Sequence, residues 1–197
     1  MSGEQSIGFN RIVGPLTGDF LRASMAAAQQ RQGAAAKTPP PPTSLPPCAF
    51  VLNDKPMSTF TFNGTGYDAF SGLNDKVNKK EFVCTASEGA IPPGTYYIVD
   101  RQSGGRLGWI RDALSGKDEW FALYAKDDAV DDVAFCDKVR RGEFRLHPKV
   151  GMGISKGCIT IDKVSDFEAI RKVLLGATKF EIPELKGTMA YAIVVVT

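Results

Sequence analysis

The sequence predicts a mostly β domain of β-rich α+β type, with one main helix and a flexible N-terminal tail ahead of it. Three observations predict it. Short runs rich in β-branched and aromatic residues recur along residues 48–197, and turn formers bound many of them. Only one segment, near residues 165–175, carries the apolar period of a clear amphipathic helix. The first 47 residues have a different composition and end in clustered prolines.

Taken in order, residues 20–36 are rich in Ala and Gln and suit a helix, although their apolar stripe is weak. Pro39 to Pro42, Pro46 and Pro47 follow. Proline fixes φ and removes an N–H donor, so residues 37–47 read as an extended polyproline II spacer. The chain therefore divides into a tail or linker over residues 1–47 and a folded domain over 48–197. Residues 49–53 and 59–63 form a first pair of strands, separated by Asp54-Lys55-Pro56. Ile91-Pro92-Pro93-Gly94 makes a turn into a strand over 95–99. Residues 120–125, 143–146 and 158–161 follow as strands. Residues 191–196 are continuously apolar, as suits a central strand covered on both faces. Between these last two lies the helix. Ser165 is its expected N-cap, with Glu168 at capping-box spacing. Phe167, Ile170, Val173 and Leu174 share its apolar face, and Gly176 is the expected C-cap.

Composition narrows the function classes. With 43% apolar residues the 197-residue chain supports one packed core. A net charge of +2, with scattered Lys and Arg, gives no field for nucleic acid. The longest apolar run, residues 189–196, is too short to span a bilayer, and no secretory signal is visible at the N-terminus. Synthesis in the cytoplasm is the expectation. The four cysteines, Cys48, Cys84, Cys136 and Cys158, show no Cys-x-x-Cys spacing. With a single histidine available, no metal site and no cofactor is expected. If Cys158 is a nucleophile, the other three are either buried free thiols or include one disulfide.

The chemistry concentrates in one short stretch. His147, the only histidine, stands eleven residues before Cys158. A thiol is a poor nucleophile until it ionises, and a neighbouring imidazole promotes that. Any Cys–His pair here must use His147. Gly157 permits a tight turn, in which the N–H groups of Gly157 and Cys158 converge as an oxyanion hole. Ser155 hydrogen-bonds across that turn or to substrate. Pro148 ends the strand of His147, and a loop of ten residues closes cheaply, so imidazole and thiol meet at the ends of neighbouring strands. The plainer alternative makes His147 a half-exposed strand residue and Cys158 a small core residue.

His147-Pro148, followed by Ser155-Lys156-Gly157-Cys158-Ile159-Thr160, resembles the active-site signature of YkuD-type L,D-transpeptidases. The closer resemblance is to the branch of type VI secretion L,D-transpeptidase-like effectors. It extends through Phe70-Ser71-Gly72, Gly89-Ala90-Ile91-Pro92-Pro93-Gly94-Thr95-Tyr96 and the run from Arg141 to Pro148, and covers about residues 48–197. It implies an L,D-transpeptidase-like β-sandwich as the catalytic domain. Two departures stand out. Common YkuD enzymes separate His and Cys further, and they carry an arginine where this chain has Thr160. Arg145 and Pro148 are the candidates for contact with substrate, and for Arg145 the alternative is a solvated strand arginine. Tyr96, Tyr97, Trp109 and Trp120 line either a cleft or the core.

The resemblance implies an antibacterial effector acting on the tetrapeptide stems of peptidoglycan. Cys158 attacks the L-centre carbonyl of diaminopimelate, expels D-alanine and forms a thioester. Water, a free D-amino acid or a second stem then takes the acyl group, giving L,D-carboxypeptidase, exchange or transpeptidase activity. It also implies delivery into the periplasm of a target cell, a component of the secretion apparatus as partner, and a cognate immunity protein. Rival readings are another Cys–His amidase and a non-catalytic wall-binding or secretion-cargo module. Papain-like and NlpC/P60-like peptidases place Cys before His, opposite to this chain.

Overall fold

The structure is a computed structural model that describes residues 47–101, 119–151 and 153–197. The tail, apart from Pro47, and Trp109 lie outside those residues. Eleven strands form among the described residues: β1 Cys48–Phe50, β2 Ser58–Phe62, β3 Thr65–Phe70, β4 Gly94–Asp100, β5 Phe121–Ala125, β6 Val133–Cys136, β7 Val139–Gly142, β8 Arg145–Pro148, β9 Ile159–Ile161, β10 Phe180–Glu181 and β11 Met189–Val196. One α-helix, α1, spans Val164–Gly176. The mostly β expectation holds, and the expected strands reappear with ends shifted by one to three residues.

Nine strands make one sheet in the order β1-β2-β3-β9-β8-β5-β4-β11-β10, and β1 also pairs with β11. That parallel pairing, with Cys48 opposite Val194, closes the sheet into a barrel-like ring and leaves only the two-residue β10 as an edge of it. β6 and β7 form a separate two-stranded hairpin. Strand β3 lacks a strong apolar pattern, since only its last two residues are buried. It forms because Asn63 and Gly64, with φ of 47° and 79°, turn the chain into a tight hairpin after β2.

Strand β11 is covered on both faces, as expected. Ala192, Val194 and Val196 join the main core, while Ile193 packs on a second cluster around Tyr97, Tyr124 and Ile182. Helix α1 lies against β8, β9 and β11. It buries Phe167, Ile170 and Leu174, whereas Val173 is 41% exposed. Val173 stands about 100° round the helix from Leu174, at the edge of the apolar stripe. The helix ends differ from expectation. Its N-cap is Lys163, whose carbonyl accepts from the Phe167 N–H, and no side chain caps it. Ser165 is therefore inside the first turn, where Asp166 provides the negative charge that favours a helix start. Gly176 is the last helical residue, and the cap passes to Ala177, whose N–H donates to the Leu174 carbonyl.

Candidate active site

Alternation along two strands builds the site. β8 and β9 run parallel, with Leu146 opposite Ile159 and His147 opposite Thr160. Successive strand residues face opposite sides. Leu146, Ile159 and Ile161 enter the core and are fully buried. Burial of each such side chain stabilises the fold by roughly 1.5–3 kcal/mol, which anchors this pair of strands. Arg145 and His147 fall on the other side with Cys158 and Thr160. Arg145, His147 and Cys158 line a cleft of about 490 Å³ there.

His147 is 4% exposed. Its ring stacks on Trp120, with centroids 4.2 Å apart and planes 19° from parallel. Nδ1 lies 2.8 Å from the Pro148 carbonyl oxygen. A carbonyl only accepts, so Nδ1 carries the proton and Nε2 is the basic nitrogen. The Thr160 hydroxyl, 3.3 Å away, donates to Nε2. The imidazole thus has Nε2 turned toward β9, the strand that Cys158 leads into.

Cys158 is a free, half-buried cysteine. Burial pushes its thiol up to about 11, while the Arg145 backbone N–H and guanidinium pull it down. A thiol raised in this way needs a base before its sulfur can attack. The turn before it depends on Gly157, whose φ of +111° disfavours a side chain. A Cβ there would also stand 2.7 Å from Arg141 Nη2 and 2.8 Å from the Phe144 ring. Ser155, fully buried, donates to the Cys158 carbonyl at 2.8 Å and accepts from the Gly72 N–H at 3.3 Å. Its hydroxyl braces the turn.

The facing wall comes from the β6–β7 hairpin and from the segment of residues 71–90, and a Cys84–Cys136 disulfide joins them. That bridge resolves the cysteine alternatives, leaving Cys48 buried and free. Arg145 is not a solvated strand arginine. Its Nη1 and Nη2 each lie 2.6 Å from an oxygen of Asp132, a bidentate pair that ties β8 to the hairpin wall. Pro148 is buried and outside the cleft lining, and it acts through its carbonyl on His147. Of the four aromatics, Trp120 lines the cleft, whereas Tyr96 and Tyr97 are buried in the two cores. No three of His, Cys, Asp or Glu gather as a metal site among the described residues. No helix among them is long and apolar enough to cross a membrane.

A family model described as the Tlde1 domain matches residues 65–185, more than half of the chain. The chain belongs to the Tlde1 domain family. This is a family of type VI secretion effectors. No curated protein and no solved structure matches the chain. The Tlde1 match runs from β3 past β10 and contains every cleft residue named above. Within this Tlde1 domain, sequence reasoning gave no role to two residues, naming Thr160 only as a departure and Arg141 only as the start of a matching run. Thr160 has a signal, because two residues after Cys158 on a strand is the same face. Arg141 is 5% exposed, and nothing in the sequence marks it as buried.

Proposed function

We propose that this chain is an effector that acts on peptidoglycan tetrapeptide stems through a thioester on Cys158. One observation carries the reading: His147, its base nitrogen turned toward β9, and Cys158 line one cleft on one face of a parallel strand pair. His147 Nε2 takes the thiol proton, and the thiolate sulfur bonds to the carbonyl carbon of the L-centre of diaminopimelate. The oxyanion that forms faces the N–H groups of the Gly157–Cys158 turn. The C–N bond then breaks, and D-alanine leaves with the proton from His147. Water, a D-amino acid amine or the amine of a second stem attacks the thioester and restores the thiol. These three acceptors give carboxypeptidase, exchange and cross-linking activity.

Membership of a secreted effector family supports the rest. The substrate lies in the periplasm of a target cell, the secretion apparatus is a partner, and an immunity protein protects the producer. The test is muropeptide analysis. Stems incubated with the wild-type chain should lose D-alanine, and Cys158→Ala should leave them intact. Equal turnover by both proteins removes Cys158 from the mechanism. A second reading, a non-catalytic wall-binding or cargo module, has in its favour the burial that pushes the Cys158 thiol up. Binding to sacculi without any product in mass spectra would select it.

A further inference from the structure

Arg141 is buried and cationic, yet its partners are all neutral. Nη2 donates to the Gly89 carbonyl at 2.9 Å and reaches the Ala90 carbonyl at 3.5 Å. The guanidinium carbon lies 5.4 Å from the centre of the Phe144 ring. Nη1 is buried and meets no hydrogen-bond acceptor among the described residues. Burying a charge with a donor unsatisfied is costly and calls for an explanation. Its neighbour offers the contrast, since Arg145 has both guanidinium nitrogens matched by Asp132. The surroundings amplify the imbalance. Among the described lining residues, Arg101, Arg140 and Lys156 add positive charge beside Arg141, and Glu143 is the carboxylate there, while Arg145 is matched by Asp132. The position is specific too, because the absent Cβ of Gly157 is what leaves room for Arg141 Nη2 against the turn that presents Cys158.

We infer that Arg141, which lines the cleft, is its carboxylate-recognising residue, and that its incompletely bonded guanidinium receives the free terminal carboxylate of the amino acid next to the scissile carbonyl. The inference rests on the stem-cleaving reading above for the identity of that amino acid. There the leaving D-alanine and an incoming D-amino acid both carry an α-carboxylate one residue from the bond that Cys158 attacks. One anion subsite then serves departure and acceptance, and it selects chain ends over internal peptide bonds. A guanidinium with a vacant donor suits a carboxylate better than a neutral amide, which leaves the cation unneutralised.

Calorimetry on the full chain carrying Cys158→Ala tests this without turnover. The probes are a tetrapeptide stem ending in D-alanine and the same stem with a C-terminal carboxamide. With Arg141 present, the carboxylate form should bind about 10- to 100-fold more tightly. Arg141→Gln should reduce that preference to about threefold or less, whereas Lys172→Gln, on the exposed face of α1 and outside the cleft lining, should retain it. A preference that survives in folded Arg141→Gln protein overturns the assignment. So does equal binding of the two stems, or no binding of either, when Arg141 is intact, a comparison that needs no Arg141 variant to fold. If Arg141→Gln does not fold, Arg141→Met, which keeps an apolar stem and removes the charge, takes its place, and an undiminished preference there overturns the assignment too. Turnover by the wild-type chain separates the two claims. A carboxylate preference that depends on Arg141, without turnover of any stem, keeps the subsite and sinks the reaction. Turnover of both stems at equal rates does the opposite.

Discussion

The two walls of the cleft are built by different means. The wall that carries Cys158 and His147 is part of the closed sheet, backed by Leu146, Ile159, Ile161 and helix α1. Its geometry follows from burial spread over many side chains. The facing wall is a two-stranded hairpin and the segment of residues 71–90, with much less core of its own. A few discrete links hold it: the Cys84–Cys136 bridge, the Arg145–Asp132 pair, and the bonds from Arg141 to the Gly89 and Ala90 carbonyls. The proposed reacting groups thus sit on the part that is hard to deform. Groups that would meet substrate sit on a part that a single cross-link can loosen.

Removing the bridge is the largest test of that contrast. Cys84 and Cys136 are 52 residues apart, and a cross-link over that span restricts the unfolded chain by about 4 kcal/mol. The double substitution Cys84→Ser with Cys136→Ser should lower unfolding stability by roughly that amount in denaturant titrations. Hydrogen exchange should locate the loss. Amides of β6, β7 and residues 71–90 should lose protection first, while those of β8 and β9 remain slow. Uniform loss across both walls would show that they form one cooperative unit.

The thiol offers the next test, on the sheet wall alone. The same burial that fixes Cys158 holds its thiol near 11 against an ordinary value of 9.0. The thiolate is the reactive form, so a raised value means less of it at neutral pH. Iodoacetamide at pH 7 should therefore label Cys158 about 100-fold more slowly than a free cysteine, and the rate should climb about tenfold per pH unit toward 11. Cys48, fully buried and with its thiol pushed up to about 12, should stay unlabelled while the protein is folded. A plateau of fast labelling near pH 6 would instead mean that Cys158 and His147 rest as an ion pair.

The contrast between the walls also explains what could be read from the sequence. The sheet wall is legible. α1 announces itself by apolar periodicity and β11 by its continuous apolar run, and His147 and Cys158 stand out by rarity and by the glycine turn. The hairpin wall is nearly silent. Its turn uses Asp137 and Lys138 in the left-handed region, φ 46° and 68°, and no glycine or asparagine marks it. β6 and β7 include the exposed residues Phe135 and Val139, so burial leaves no alternation to detect. Arg141 looks like any surface arginine until the fold encloses it. The pairing of Cys84 with Cys136 needs the tertiary structure, since three cysteines allow more than one bridge.

The smallest effect is expected where the two walls meet. Ser155 takes the Gly72 N–H from one wall and gives its own proton to the Cys158 carbonyl on the other. Ser155→Ala removes both bonds in a site with no solvent exposure, stranding a buried donor and a buried acceptor. The cost should be about 1–3 kcal/mol in unfolding stability. Because the Cys158 carbonyl belongs to the turn, stem turnover should fall as well, by about tenfold, while Arg141-dependent preference for a carboxylate terminus persists. Loss of stability without any change in turnover would confine Ser155 to joining the walls. A fall in turnover together with loss of the carboxylate preference would mean that the turn and Arg141 move as one, and that Ser155 couples the two walls.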